Sequence, residues 1–331
     1  MAFYFTDSST DARRLPVNDA GRLASRLRYR VIMVERLGFV GFGEAAFYLA
    51  KGLREAGVKR TIAFDIHMHT ARLGEKIQER AKETRTGLVE FSAALAAGAD
   101  VIISAVTADQ AVDAAEQTAP YLTSHHIYAD LNSVSPRMKQ RVGEIISRSG
   151  ARFVEIAVMG PIPPQLHKTP MLIGGPTAPE FQEMFAPCGM RMDVVSTDQF
   201  GRAAAVKMFR SVIYKGLEAL IFECVMGASQ YGAEPRVFQS LNESFPGLDF
   251  QKLADYMVGR VVVHGERRAR EMEEVAATLQ GLGIEPMMAE ATVRRMDWAA
   301  RLDLKTRFGG EFPKTYQEVL DAICVQAKQG V

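Results

Sequence analysis

Apolar residues between positions 36 and 197 fall in short continuous runs, separated by polar segments of helical period. "LGFVGFGEAAFYLAKGLREAG" (37–57) reads as a strand, a glycine turn and a helix. "RTIAFD" (60–65), "ADVIISAVT" (99–107), "HIYADLNS" (126–133) and "RFVEIAV" (152–158) follow. Short apolar runs that do not alternate with polar residues are strands buried on both faces. Helical segments lie between them, among them "DQAVDAAEQTAPYL" and "SPRMKQRVGEIISRSG", the latter with Ser135 as N-cap and Pro136 at its first position. This alternation predicts a doubly wound parallel sheet with helices on both faces. "TPMLIGGP" (169–176) and "MRMDVVST" (190–197) extend it by further strands around one more helix. From Asp198 the texture changes. "DQFGRAAAVKMFRSVIYKGLEALIFECVMGASQ" is one long helix, apolar almost all round and therefore expected to be buried. The rest is helical to the end, which predicts an α/β domain over 36–197 and an all-α domain over 198–331. Residues 1–35 are polar, Arg-rich and without period. They read as an extension contributing little to the fold, and Met33 offers an alternative start.

Composition narrows the classes. With 331 residues, 47% of them hydrophobic, the chain can bury a large core. Forty basic and thirty-nine acidic side chains give a formal net charge of +1, with no basic block or aromatic-interleaved basic stripe, so no nucleic-acid partner is expected. No apolar run reaches the roughly 18 residues a membrane helix needs. Cys188, Cys224 and Cys324 are far apart and form no C-x-x-C, so neither a disulfide framework nor a metal site is expected and a reducing, cytoplasmic setting is.

Gly41, Gly43 and Ala46 match G-x-G-x-x-G/A after a strand and at the opening of a helix. The first glycine permits the tight turn, the second lets a pyrophosphate approach the backbone, and the small third residue lets helix and strand pack closely. Asp65 ends the next strand, positioned to bind the adenosine-ribose hydroxyls and to repel a 2′-phosphate. A Rossmann-type dinucleotide site is predicted from Gly38, Gly41, Phe42, Gly43, Glu44, Ala45 and Asp65, with Ala105, Val106 and Thr107 at the following strand end. NAD is the expected cofactor. Asp65 can instead cap a turn, and His67, His69 and Arg72 stand close enough in sequence to serve NADP.

The substrate belongs beyond the carboxyl ends of the strands. "DLNSVSP" supplies Asn132 and Ser133 there as donors to a carboxylate, while Ser135 caps the helix. Lys207 stands in "GRAAAVKMFRSV" among apolar neighbours. Ser211 and Tyr214, at i+4 and i+7, share its face, with Arg210 at the edge. A lysine on a buried helix is read as functional, against the alternative of a side chain that snorkels to the surface. "PIPPQLHKTP" is read as a loop by the cleft, with His167 and Lys168 either available to an anion or solvated.

These residues resemble the β-hydroxyacid dehydrogenase family, which includes 3-hydroxyisobutyrate and 6-phosphogluconate dehydrogenases. "GFVGFGEAAFYLA", "DLNSVSP" and "GRAAAVK" are similar to three ordered family motifs, and the resemblance covers nearly all of the chain from residue 36. "AVMGPIPPQLHKTP", "KMFRSVIYKGLEALIFE" and "RRAREMEEVAATL" resemble a narrower 6-phosphogluconate dehydrogenase-like branch with a helical C-terminal domain of unknown function. The resemblance implies hydride transfer between nicotinamide and the hydroxyl-bearing carbon of a small acid, with Lys207 as general acid/base beside Ser133 and Ser211. It implies Asn132, Ser133, Met159, Gly160 and Tyr214 as substrate contacts, and a homodimer built through the helical domain. Two departures stand out. Met159 in "EIAVMGP" replaces a substrate-contacting serine, and Arg210 and Ser211 stand where the family has an asparagine. An imine reductase on the same fold and a non-catalytic NAD sensor are the rival readings.

Overall fold

The structure, a computed structural model, describes residues 34–329. The expectation for the first 32 residues lies outside the described residues. Val34 already packs into the core.

The chain begins β1 (Arg36–Val40), α1 (Glu44–Glu55), β2 (Arg60–Phe64), α2 (Ala71–Thr84), β3 (Gly87–Leu88), α3 (Ser92–Gly98) and β4 (Val101–Ser104). It continues through α4 (Ala111–Thr118), β5 (Ile127–Asp130), α5 (Pro136–Arg148), β6 (Arg152–Val158), β7 (Met171–Gly174), α6 (Ala178–Phe185) and β8 (Met192–Ser196). Among the described residues eight strands form one sheet in the order β3-β2-β1-β4-β5-β6-β7-β8. Side chains of opposite parity fill the two faces. Leu37, Phe39, Ile103, Val154 and Ile156 pack under α1 and α6. Ile102, Tyr128 and Phe153 pack under α3, α4 and α5. Ser135 caps α5 as its sequence predicts, accepting from Met138 N at 3.3 Å.

The expectation of a uniformly parallel sheet is corrected at one edge. β7 runs antiparallel to β6, and β8 follows β7 in parallel. The β6–β7 connection carries only a one-turn 3-10 helix, Leu166–Lys168, after the prolines at 161, 163 and 164. Those prolines cannot sustain the crossover helix a parallel return needs, so the chain turns back on itself.

After β8 the chain is helical: α7 (Arg202–Ser229), α8 (Glu234–Ser244), α9 (Phe250–Gly281), α10 (Met287–Arg301), α11 (Leu304–Arg307) and α12 (Tyr316–Gln329). Phe222 and Val225 of α7, Val258 and Val262 of α9, Met296 of α10 and Val319 of α12 share a second core. Glu155, buried in β6, accepts from Ala203 N at 3.0 Å and so ties the first turn of α7 to the sheet. The expectation that α7 is buried all round is corrected. Val206, Phe209, Ile213, Leu217 and Leu220 are exposed, a stripe with 3- and 4-residue spacing along one face. The apolar composition holds, but this face has no cover among the described residues.

Candidate active site

Two cavities open beyond the carboxyl ends of the strands. The first, about 420 Å³, is lined by Gly41, Gly43, Glu44, Asp65 and Thr107 among others. The second, about 880 Å³, lies between the sheet and the faces of α7 and α9. Ala45, Ala105 and Val106 line both, so a single elongated ligand can run across that threshold.

The glycine turn suits a dinucleotide. Gly41 holds φ at +79°, and a Cβ there would meet Ala105 O at 2.7 Å. At Gly43 a Cβ would meet nothing within 4 Å, so the protein does not need that glycine for its own packing. What it preserves is open backbone at the N-terminus of α1, where amides and helix dipole favour a phosphate. Asp65 is buried, and its two oxygens accept from Phe42 N at 2.7 Å and His67 N at 2.8 Å. It therefore braces the turn as well as facing the cavity. Two predicted contacts are reassigned. Gly38 lies inside β1, where a Cβ would meet Ala99 and Leu95, and is a packing residue. Phe42 buries its ring in the core and gives its amide to Asp65. Of the basic residues named for a 2′-phosphate, His67 lines the cavity, joined by Lys76 and Arg80. His69 pairs instead with Glu90 at 2.7 Å, and Arg72 is not among the lining residues.

At the second cavity Lys207 Nζ donates to Ser133 Oγ at 2.7 Å. The two residues are 74 positions apart and meet because Glu155 fixes α7 one turn before Lys207. Burial pushes the Lys207 amine down from its ordinary value to about 8; Lys139, Lys215 and Arg267 push the same way, while Glu271 opposes them. Ser211 lines the cavity too and donates to Lys207 O at 3.1 Å, leaving its oxygen lone pairs open. Tyr214 donates to Tyr256 Oη at 3.2 Å, and the Arg210 guanidinium stacks 4.8 Å from the Tyr214 ring centroid. Met159 and Gly160 line the same cavity beside the proline loop.

Asn132 departs from its expected role. Its Oδ1 accepts from Val106 N at 2.7 Å, and its Nδ2 donates to Ser104 Oγ at 3.0 Å and to Asp130. With its amide engaged, it clamps the ends of β4 and β5 and aims Ser133 rather than offering free donors. His167 is corrected too. It is buried, bonded through Nε2 to Cys188 O at 2.8 Å and lodged against Gly52 of α1. Neither it nor Lys168 lines the cavity.

Sequence reading missed a charged wall. Arg260, His264, Arg267, Arg268 and Glu271 of α9 line the second cavity with Lys215 of α7. The spacing 260, 264, 268, 271 is the visible signal of one helical face, but only α7 packing against it shows that the face is not solvated. Lys139, 1% exposed on α5, was also missed. Among the described residues no cluster of His, Cys, Asp or Glu could hold a metal, and no helix is long and apolar enough to cross a membrane.

Residues 36–195 match the model of the NAD binding domain of 6-phosphogluconate dehydrogenase, and residues 228–299 match a domain of unknown function, DUF1932. A conserved hypothetical protein from Sinorhizobium meliloti is 33% identical, with a TM-score of 0.75; the match covers 89% of this chain and 97% of that one. The conserved protein MTH1747, described as structurally similar to 3-hydroxyacid dehydrogenases, is 29% identical, with a TM-score of 0.69 and coverage of 83% and 99%. The mitochondrial 3-hydroxyisobutyrate dehydrogenase of Drosophila melanogaster is 25% identical over 64% of each chain.

Proposed function

Because the chain belongs to the β-hydroxyacid dehydrogenase family, with a 6-phosphogluconate dehydrogenase-type NAD-binding domain and a DUF1932 region, we propose that it is a nicotinamide-dependent dehydrogenase of a small hydroxy acid. The observation that carries this reading is the Lys207–Ser133 contact, made where the dinucleotide cavity opens into the second cavity. The bound nicotinamide supplies the hydride acceptor for oxidation and the donor for reduction. Lys207 Nζ takes the hydroxyl proton as the carbinol carbon loses its hydride, and returns it in the reverse direction. Ser133 Oγ orients the amine, and Asn132 holds Ser133 in register. Asn132 and Ser211 sit on opposite walls, so the reacting carbon is flanked by the sheet ends and by α7. Incubation with a panel of 3-hydroxy acids, sugar acids and aromatic hydroxy acids is expected to yield NADH with at least one. Tight cofactor binding with no turnover across the panel would support a sensor instead.

The cofactor is NAD in this reading. Two backbone amides fix the Asp65 carboxylate at the ribose end of the cavity, whereas Lys76 and Arg80 approach from α2 on long flexible side chains. A fixed anion about 4 Å from a 2′-phosphate is repelled by on the order of a few kcal/mol at an interfacial dielectric. The expected result is a kcat/KM for NAD at least tenfold above that for NADP, with the gap narrowing in Asp65→Asn. A clear NADP preference of the wild type contradicts it.

A second copy covers the exposed stripe of α7 in this proposal. Positions 206, 209, 213, 217 and 220 repeat as the seam of a helix pair does. Light scattering at micromolar concentration is expected to report at least a dimer, and Ile213→Asp a smaller species. A strictly monomeric wild type removes the assignment.

A further inference from the structure

The α9 wall of the second cavity carries more charge than the hydride step uses. Two glutamates each serve two cations. Glu218, fully buried on α7, pairs with Arg268 and, at 3.4 Å, with Arg260. Glu271 pairs with Lys215 at 2.6 Å and with Arg267. Each group of three is therefore formally +1. Arg268 and Lys215, 3% and 7% exposed, are each matched by their glutamate, so the surplus falls on Arg260, whose side chain is 23% exposed, and on Arg267. Arg210 and Lys207 face the same cavity, and among the described residues that line it Glu271 is the single carboxylate. Surplus buried charge costs several kcal/mol unless an opposite charge meets it. Solvent ions cover Arg267 readily, because its side chain is 60% exposed, but they do not reach Arg268 without entering the cavity. An anion bound in the cavity meets the surplus charge of Arg260, which shares its glutamate with Arg268.

We infer that the substrate is a hydroxy acid bearing a second anionic group, a carboxylate or a phosphate, and that Arg260 and Arg268 hold this group at the end of the cavity remote from Lys207, with Arg267 at the rim. The inference rests on the dehydrogenase reading for the hydroxyl but not for the anion subsite. Glu218, which holds both arginines, lies 11 residues beyond Lys207 on α7, roughly 16 Å along the helix axis. The substrate therefore has several bonds between its reacting carbon and its second anion. Arg260 is stacked 5.1 Å from the Tyr256 ring centroid and 5.9 Å from that of Phe312, which holds the guanidinium flat for bidentate contact.

His264 is a built-in reporter of the site. It lines the cavity between Arg260 and Arg268, its ring 5.1 Å from that of Phe312. Burial pushes its pKa down to about 4, helped by Arg267, Arg268, Arg260 and Lys305. A bound anion offsets those four cations and favours the protonated imidazole, so it raises the pKa.

The test follows the His264 ring resonance by NMR across pH in the full chain, assigned by its loss in His264→Asn, with inorganic phosphate, glutarate or sodium chloride at equal ionic strength. The expected result is an upward shift of about one pH unit with phosphate or glutarate, whichever the subsite prefers, a smaller shift with chloride, and loss of the specific shift in Arg260→Gln. That variant leaves Glu218 paired with Arg268 one to one, so folding is retained. Equal shifts in all three salts, or no shift, overturn the subsite. With a turned-over substrate, Arg260→Gln is expected to lower kcat/KM at least tenfold for a doubly anionic acid and by less than threefold for its singly charged homologue; equal losses overturn the substrate class. Anion-specific shifts without turnover of any hydroxy acid leave the subsite standing and overturn the dehydrogenase reading instead.

Discussion

Replacing Lys207 with alanine is expected to lower kcat by about 10²- to 10⁴-fold, the range for loss of a positioned acid/base, while leaving cofactor affinity within about threefold. The two effects separate because Gly41, Gly43 and Asp65 line a different cavity from Lys207. In barrier terms the loss is roughly 3 to 5 kcal/mol. Lys207→Arg is not expected to restore turnover, since a guanidinium keeps its proton near neutrality and does not reproduce a compact ammonium at Ser133 Oγ. The pH dependence has a definite sign. Oxidation needs the neutral amine, so its rate rises through pH of about 8, where the Lys207 amine titrates. Reduction needs the ammonium, so its rate is full below that pH and falls above it. Steady-state rates in both directions between pH 6 and 9.5, beside cofactor titration of each variant, decide the matter. A variant that turns over within a few-fold of wild type makes Lys207 a structural residue, and Tyr214, bonded to Tyr256, becomes the next group to test.

What could be read in advance follows the range of the interactions. The turn at Gly41, the capping by Ser135 and the strands β1, β2, β4, β5 and β6 are set by residues within a few positions of each other, and each leaves a mark in the sequence, whereas the two-residue β3 leaves none. Lys207 stands out in the sequence because a lysine among alanine, valine, methionine and phenylalanine breaks a local pattern, and the fold sets it against Ser133. Asn132 was legible as important but not in its role, because its partners Val106 and Ser104 are 26 and 28 residues away and claim the amide that seemed free for substrate. The antiparallel return of β7 depends on what a proline-rich connection cannot do, a weaker signal than what a strand does. The charged wall was least legible. Arg260, Arg268 and Glu218 each resemble ordinary helix-surface charges, and their burial exists only once α7 and α9 pack. His167 misled for the same reason in reverse: it stands in a loop that borders the cleft but points its ring toward Cys188 O.

Lys139→Met is expected to destabilise the protein by about 3 to 5 kcal/mol, the cost of orphaning one member of a buried ion pair. Lys139 Nζ lies 3.0 Å from Asp130 Oδ2 and donates to the carbonyls of Asp130 at 2.7 Å and Ile156 at 3.1 Å. Both side chains are essentially without solvent contact. Removing the ammonium leaves a buried carboxylate and two carbonyls without their donor, in a protein whose whole stability is on the order of 5 to 15 kcal/mol. The urea midpoint is expected to fall by roughly 1 M or more. Asp130 has a second task, since its Oδ1 accepts from Asn132 N at 3.1 Å and from the Asn132 amide. The double variant Asp130→Leu with Lys139→Met removes both charges together, so it should recover most of the stability lost by either single change. It does not restore the Asn132 clamp, so its turnover should stay well below wild type while its midpoint returns toward it. Urea unfolding of the two single variants and the double, set beside kcat for each, separates the two tasks. A Lys139→Met protein within about 1 kcal/mol of wild type would mean that water reaches Asp130, and a double variant with full activity would mean that Ser133 is aimed without Asn132.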